Sequence, residues 1–175
     1  MSSGAVDWTG RHVVITGGSS GIGEALAQAV AARGARLTLL ARGADRLAAV
    51  AGPLGATGVP CDVSDRDAVT AVLATAAAER GPVDVLVCSA GITLPGRFLE
   101  AEDQTFRDMV DVDYYGTLWP VRAVAPSMVE RRTGSIIGIA SAAALVGVYG
   151  YTAYGAAKFA VRGLLEALRT ELVPR

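Results

Sequence analysis

In the segment "YGAAK", Tyr154 and Lys158 stand four residues apart, a spacing that places both on one face of a helix. A free phenol titrates near 10, about three units too high to donate a proton readily at neutral pH, a deficit of about 4 kcal/mol. An ammonium group one turn away reduces that deficit, because its charge favours the ionised phenol. The pair is a candidate for proton transfer, and Ser141 lies thirteen residues upstream of the tyrosine. Taken alone, Tyr154 and Lys158 equally fit an ordinary helical pair whose lysine stem lies along apolar surface.

The pair closes a stretch, Gly134 to Ala157, that has no charged residue. Runs of about eighteen or more such residues nominate a membrane-spanning helix. The content argues against one: five glycines, two serines, a threonine and three tyrosines interrupt the run. Its pattern also changes midway, from the β-branched burst "SIIGIAS" to alanine-rich helical spacing.

A second chemical signal is "TGGSSGIG", Thr16 to Gly23, where a strand hands over to a helix. Glycines there let the backbone turn tightly and approach a pyrophosphate, whose charge is favoured by the free N–H groups at a helix start. A merely flexible turn is the competing account, and the strand before and helix after favour a dinucleotide. The next strand should end beside the adenosine ribose, where a carboxylate selects a free 2′-hydroxyl and an arginine accepts a 2′-phosphate. The chain has Ala41 and then Arg42, which favours NADP(H) over NAD(H), against the alternative of a solvated turn charge.

These residues need a scaffold, and the segments alternate to supply one. "RHVVIT", "ARLTLLA", "ATGVPC", "VDVLVCSA" and "GSIIGIA" read as strands by their apolar, β-branched runs. Between them lie helices: "IGEALAQAVAARG", with Ile22, Leu26 and Val30 at core spacing and Gly34 as its stop; "ADRLAAVAG"; and "DRDAVTAVLATAAAERG", opened by the cap candidate Ser64. Residues 102–131 read as helix bent or broken near Pro120 and Pro126, and "YTAYGAAKFAVRGLLEALRTEL" as one long helix. Such alternation predicts a Rossmann-like α/β fold: a doubly wound parallel sheet in three α/β/α layers, forming one domain over residues 1–175.

Bulk properties exclude other classes. Sixteen basic against seventeen acidic residues give a net charge of −1, no electrostatic reason to expect nucleic acid or anionic lipid. No basic-then-apolar arrangement opens "MSSGAVDWTG", so a cytoplasmic protein without a transmembrane segment is expected. The two cysteines have no metal-ligand spacing. With strand order 3-2-1-4, Cys61 and Cys88 stand about 14 Å apart, too far for a disulfide. His12, the only histidine, opens the first strand and is assigned no chemistry.

Together, "TGGSSGIG", "CDVSD", "CSAG" after the fourth strand and the serine thirteen residues before "YGAAK" resemble the short-chain dehydrogenase/reductase family, over about residues 10–174. The resemblance implies hydride transfer between NADP(H) and a ketone or secondary alcohol. Tyr154 would donate the proton, Lys158 would also bind the nicotinamide ribose, and Ser141 would hydrogen-bond the substrate carbonyl. Cofactor contacts would come from Gly17, Ser19, Ser20, Gly21, Ile22 and Gly23, from Arg42, Asp62, Val63, Ala90 and Gly91, and from Tyr154 and Lys158. Asp62 is assigned to the adenine, with a helix-start carboxylate as its alternative. Gly91 would let the backbone pass close to the cofactor. Members reducing 3-keto lipids share the most text, and bacterial 3-oxoacyl reductases share much of it. Helices near 102–131 and 151–172 form the family's dimer face, so a homodimer or homotetramer is expected.

Three departures stand out. Cys88 and Ser89 replace the asparagines of the family's "NNAG". Asp113, in "VDYYG", occupies the position of the family's fourth catalytic residue, an asparagine. At an expected 6 Å or so from Lys158, its carboxylate would hold the lysine charged yet oppose ionisation of the tyrosine, by up to about 3 kcal/mol. Finally, the family continues with two more strands and a substrate lid, whereas this chain stops at Arg175. The last strands of the fold are therefore expected to be missing, with strand five an exposed edge and a cofactor-binding fragment without turnover as the other functional reading. The ending "LVPR" fits either a protease-tag scar or the natural helix.

Overall fold

A computed structural model describes residues 6–172; residues 173–175 of "LVPR" and the opening "MSSGA" lie outside the described residues. Five strands, β1 (His12–Thr16), β2 (Arg36–Ala41), β3 (Thr57–Pro60), β4 (Val85–Cys88) and β5 (Ser135–Gly138), form a parallel sheet in the order β3-β2-β1-β4-β5. Parallel neighbours need crossover connections, which are supplied by α1 (Gly21–Ala31), α2 (Ala44–Ala51), α3 (Arg66–Arg80) and a long irregular helix before β5. The last helix, α6 (Thr152–Leu172), follows β5.

Strand side chains alternate between two cores, as a pleat requires. Val13, Ile15, Leu37, Leu39, Val85 and Val87 pack with Ala27 and Val30 of α1 and with Leu47 and Ala51 of α2. Val14, Leu40, Leu86 and Cys88 pack on the other side with Val69 and Leu73 of α3 and with residues of the helix before β5. Burial of both sheet faces is why these strands read as continuous apolar runs. Cys61 and Cys88 are buried free thiols, and burial pushes the Cys88 thiol up to about 12.

Local details depart from the sequence reading. The buried face of α1 is Gly23, Ala27 and Val30, while Leu26 is half-buried and Ile22 is 58% exposed. Ile22 sits in the first turn, just past the C-terminal end of the central strand β1, and is left exposed there. The cap of α3 is Asp65, whose side chain accepts from the Asp67 and Ala68 amides. Ser64 is unavailable because its amide and hydroxyl both bond to Asp62 Oδ1, at 3.0 and 2.8 Å.

The segment expected to break at prolines is instead α4 (Asp103–Met109), a π turn (Val110–Tyr115) and α5 (Gly116–Glu130), with Pro120 and Pro126 inside α5. Pro120 has no N–H to return to Gly116, four residues back. The irregularity is placed upstream of it, in the π turn, whose wider ladder shifts the bonding register. The Thr117 hydroxyl donates to the Asp113 carbonyl at 2.9 Å, satisfying an acceptor inside this turn.

β5 is the edge of the sheet, with Ile137 exposed. Beside it, α5 and α6 enclose a groove of about 1130 Å³ lined in part by Met128, Ile136, Leu165 and Leu168. Among the described residues, no helix is long and apolar enough to cross a membrane.

His12 acquires a structural role at the foot of the sheet. It is fully buried, with Nδ1 2.8 Å from the Gly81 carbonyl and Nε2 3.0 Å from Thr38 Oγ1, and its backbone amide donates to Asp84 Oδ2 at 2.9 Å. Burial holds the imidazole below its ordinary value of 6.5; the Gly81 carbonyl opposes this, Arg36 and Arg80 add to it, and Asp84 opposes it. Between the lowered value and 6.5 the unfolded chain binds more protons than the folded one. The resulting contribution to stability is complete above about pH 6.5 and is lost as the pH falls through the folded value. Denaturant midpoints measured across mildly acid pH should show this loss. His12→Ala should flatten it while costing about 1–3 kcal/mol at neutral pH, because the Gly81 and Thr38 partners are left unpaired.

Candidate active site

Helix α6 buries Ala153, Ala157 and Val161 at helical spacing, and the adjacent stripe carries Tyr154 and Lys158. Tyr154 is half-buried against Met109, Ala153 and Ala157, with Ile92 and Phe106 alongside. Lys158 is 6% exposed, and its ammonium lies 5.6 Å from the centre of the Tyr154 ring. The two side chains therefore share one face, as their spacing requires.

The ammonium is held from two other directions. It donates to the Ile139 carbonyl at 3.3 Å and stands 3.0 Å from Asp113 Oδ1. The expected gap of about 6 Å between carboxylate and lysine is thus a direct ion pair; the π turn presents Asp113 inward, where it has no exposure to solvent. Asp113 Oδ2 has no hydrogen-bond partner among the described residues. Burial pushes the carboxyl above its ordinary value, and the Lys158 ammonium pulls it back. Removing either member of such a pair leaves an uncompensated buried charge, which costs about 3–5 kcal/mol.

Gly91 makes room for this contact. A side-chain carbon there would lie 2.5 Å from Asp113 Oδ1 and 3.3 Å from Lys158 Nζ. The glycine expected to admit a cofactor thus has a further function, leaving space for a carboxylate and an amine.

The same loop joins the pair to the glycine turn. Gly17 has φ +70°, and a side-chain carbon on it would strike the Ala90 amide nitrogen at 2.7 Å. Thr16 Oγ1 accepts from the Ser89 and Ala90 amides, both at 3.2 Å. Thr16, Gly17, Ala90, Gly91, Asp113 and Lys158 therefore form one continuous chain of contacts from the start of α1 to α6.

At the start of α1 the Ser20 side chain makes no cap bond, Ser19 and Ser20 are half-buried, and Gly21, with φ +55°, has open space where a side chain would stand. Uncapped amides facing open space are what an anionic pyrophosphate requires. Gly17, Ser19, Ser20, Gly21, Ile22 and Gly23 fit that group, with the exposed Ile22 at its rim.

Arg42 follows β2 directly and is exposed. The Asp62 carboxyl is held below its ordinary value chiefly by the Ser64 amide, with the Arg42 charge contributing. Arg42 and Asp62 thus both lie beyond the ends of β2 and β3, near enough for the charge of one to act on the other, with no ion pair between them among the described residues. Asp62 does not cap α3, which removes the helix-start alternative. Val63 is buried against Gly116, where a side-chain carbon would meet its Cγ2 at 2.6 Å.

Ser141 caps a short 3-10 turn, Ala142–Ala144, by accepting from the Ala143 amide at 3.2 Å. That bond occupies a lone pair and leaves the hydroxyl proton free to donate. Gly155 of α6 lies close to the Ala143 carbonyl, with 3.6 Å separating that oxygen from the position of a side-chain carbon. The serine turn therefore packs beside the tyrosine's helix, although no hydrogen bond links Ser141 to Tyr154 among the described residues.

Three contributors escaped the sequence reading. In sequence, Thr16 reads only as the first residue of the glycine turn, Thr117 falls within the helical segment 102–131 without a motif, and the Ile139 carbonyl carries no residue-type signal because it is backbone. Only Thr16 could have been found, as a hydroxyl closing a strand beside glycines.

Residues 11–175 match the short chain dehydrogenase family. A 3-dehydrosphinganine reductase of Danio rerio is 42% identical, the match covering 94% of this chain and 53% of that protein. A 3-ketodihydrosphingosine reductase of Bos taurus is 41% identical with the same coverage. The chain thus spans about half the length of these curated relatives. A crystal structure of a short-chain dehydrogenase from Streptomyces avermitilis superposes with a TM-score of 0.90 at 34% identity, covering 94% of this chain and 61% of that one. A glycine turn joined through Gly91 to a tyrosine and a lysine, in a chain matched almost end to end, places this protein in the short-chain dehydrogenase family of oxidoreductases.

Proposed function

We propose that this chain is the cofactor-binding and catalytic part of an NADP(H)-dependent reductase that converts a ketone to a secondary alcohol, with 3-keto lipids such as 3-ketodihydrosphingosine as its substrate class. The observation that carries the reading is the Lys158 ammonium beside the Tyr154 ring, joined through Gly91 and Ala90 to the glycine turn. When bound, NADPH supplies the hydride. Tyr154 gives its hydroxyl proton to the ketone oxygen, and the free proton of Ser141 steadies the negative charge growing there. Arg42 would hold the 2′-phosphate of the cofactor and Asp62 would hydrogen-bond its adenine.

A lipid substrate is supported by the rim. Leu94, Phe98 and Leu99 on the loop after β4, and Leu145, Val146 and Tyr149 on the loop before α6, are exposed. The Gly96 amide donates to the Gly150 carbonyl at 2.8 Å, tying the two loops together. Of the three charges on these loops, Arg97 and Glu100 pair with each other at 3.3 Å, and Glu102 stands at the start of α4. Such an exposed apolar collar suits an alkyl chain. A second reading, cofactor binding without turnover, is favoured by the open groove beside β5 and by the half-length coverage of the relatives.

Two measurements test these readings. NADPH absorbance should fall with 3-ketodihydrosphingosine more than with acetoacetyl-CoA, and Tyr154→Phe should lower turnover by about 10²–10⁴-fold. Binding of NADPH with no ketone consumed would select the second reading, and preference for the CoA ester would move the substrate class to 3-oxoacyl compounds. Arg42→Ala should weaken NADPH binding about 10–100-fold, the worth of a charge-assisted hydrogen bond, and leave NADH binding unchanged; equal losses for both would remove Arg42 from the phosphate.

A further inference from the structure

The Lys158 ammonium has a dedicated counter-charge. Asp113 Oδ1 lies 3.0 Å from it, the carboxylate is sealed from water, and Gly91 keeps the intervening space empty. An isolated ammonium near a phenol favours the phenolate through its net charge. An ammonium in contact with a carboxylate presents a dipole, whose influence falls off faster with distance, and the unscreened interior preserves the cancellation.

We propose that Asp113 is a positioning residue that acts through Lys158 to keep the Tyr154 hydroxyl in its proton-donating form through neutral and into alkaline pH. The inference rests on Tyr154 being the proton donor of the reading above. In ketone reduction the carbonyl carbon gains a hydride from the reduced nicotinamide, which is oxidised. The carbonyl oxygen gains the Tyr154 proton, and the tyrosine is reprotonated from water. The overall equilibrium is untouched by Asp113; the quantity it sets is the pH window in which reduction runs at full rate.

The surroundings of Tyr154 leave few competing charges. Its own helix contributes Lys158, and Tyr151, just before that helix, contributes a ring 6.0 Å away. The π turn contributes Asp113, while α4 and the loop after β4 present the apolar Phe106, Met109 and Ile92. The ion pair is therefore the charged feature beside the phenol among the described residues, and changing it should be read directly in the tyrosine.

The test is an ultraviolet titration of tyrosinate absorbance in the cofactor-free chain, with the matching Tyr154→Phe curve subtracted so that Tyr154 alone is followed. In the Asp113→Asn background the Tyr154 midpoint should fall by at least one pH unit, making the residue at least tenfold more ionised at a given pH below the midpoint. Asp113→Ser removes the same charge with less bulk and serves if the asparagine variant fails to fold. Asp113→Glu, which restores a carboxylate, should return the midpoint towards that of the parent. In turnover, the alkaline limb of the reduction profile should move down by a similar amount. An unchanged or raised midpoint in both neutral variants overturns the proposal. Absence of turnover with the titration shift intact would instead count against the reductase reading and leave the electrostatic role of Asp113 standing.

Discussion

A single buried ion pair organises the centre of this molecule. Lys158 and Asp113 come from segments far apart in sequence, and neither would be stable at its position without the other, since an unpaired charge in the interior is among the costliest defects a fold can carry. Their contact fixes α6 against the π turn and explains why Gly91 has no side chain. It also fixes the ammonium near the Tyr154 ring, so a stability constraint and a chemical arrangement coincide in one interaction.

Around that contact the fold supplies two kinds of support. The sheet's alternating side chains feed two cores, and the ends of β1 and β4 are tied by Thr16, whose hydroxyl takes the Ser89 and Ala90 amides. This tie holds the glycine turn against the loop that leads to Gly91. At the opposite end of the sheet, His12 and Asp84 hold the strand starts together, and Arg131 joins α5 to them through Asp84 at 3.4 Å and the Val83 carbonyl at 2.7 Å. One end of the strands carries the site; the other is braced by polar contacts.

What was readable in the sequence was what depends on local periodicity. The strand and helix alternation follows from apolar runs and helical spacing, the strand order from the Rossmann-like fold that the alternation implies, and the shared face of Tyr154 and Lys158 from their spacing of four, and the structure keeps all three. What was not readable depends on neighbours brought together by folding. The distance from Asp113 to Lys158 could not be judged without the π turn that aims the carboxylate inward. Ile22 has the right spacing for a core face, but α1 begins past the C-terminal end of β1, so its first turn leaves Ile22 exposed while Ala27 and Val30 reach the core. Ser64 and Asp65 are both good caps by type, and the choice between them was made by Asp62, which engages the serine first. Pro120 and Pro126 read as bends or breaks because their own lost bonds are visible in sequence, whereas the π turn upstream of them is not.

The π turn couples chain length to orientation. Residues 110–115 follow a wider winding than their neighbours, so this stretch accommodates extra chain between α4 and α5. Loss of one residue there would let the winding revert to the α form, and with 3.6 residues per turn the carboxylate of Asp113 would swing by about 100° relative to α4. The lysine would then face an empty space, although every other side chain of the site was still encoded. The orientation of Asp113 therefore depends on the number of residues in this short stretch, "VDVDYY", as well as on their types.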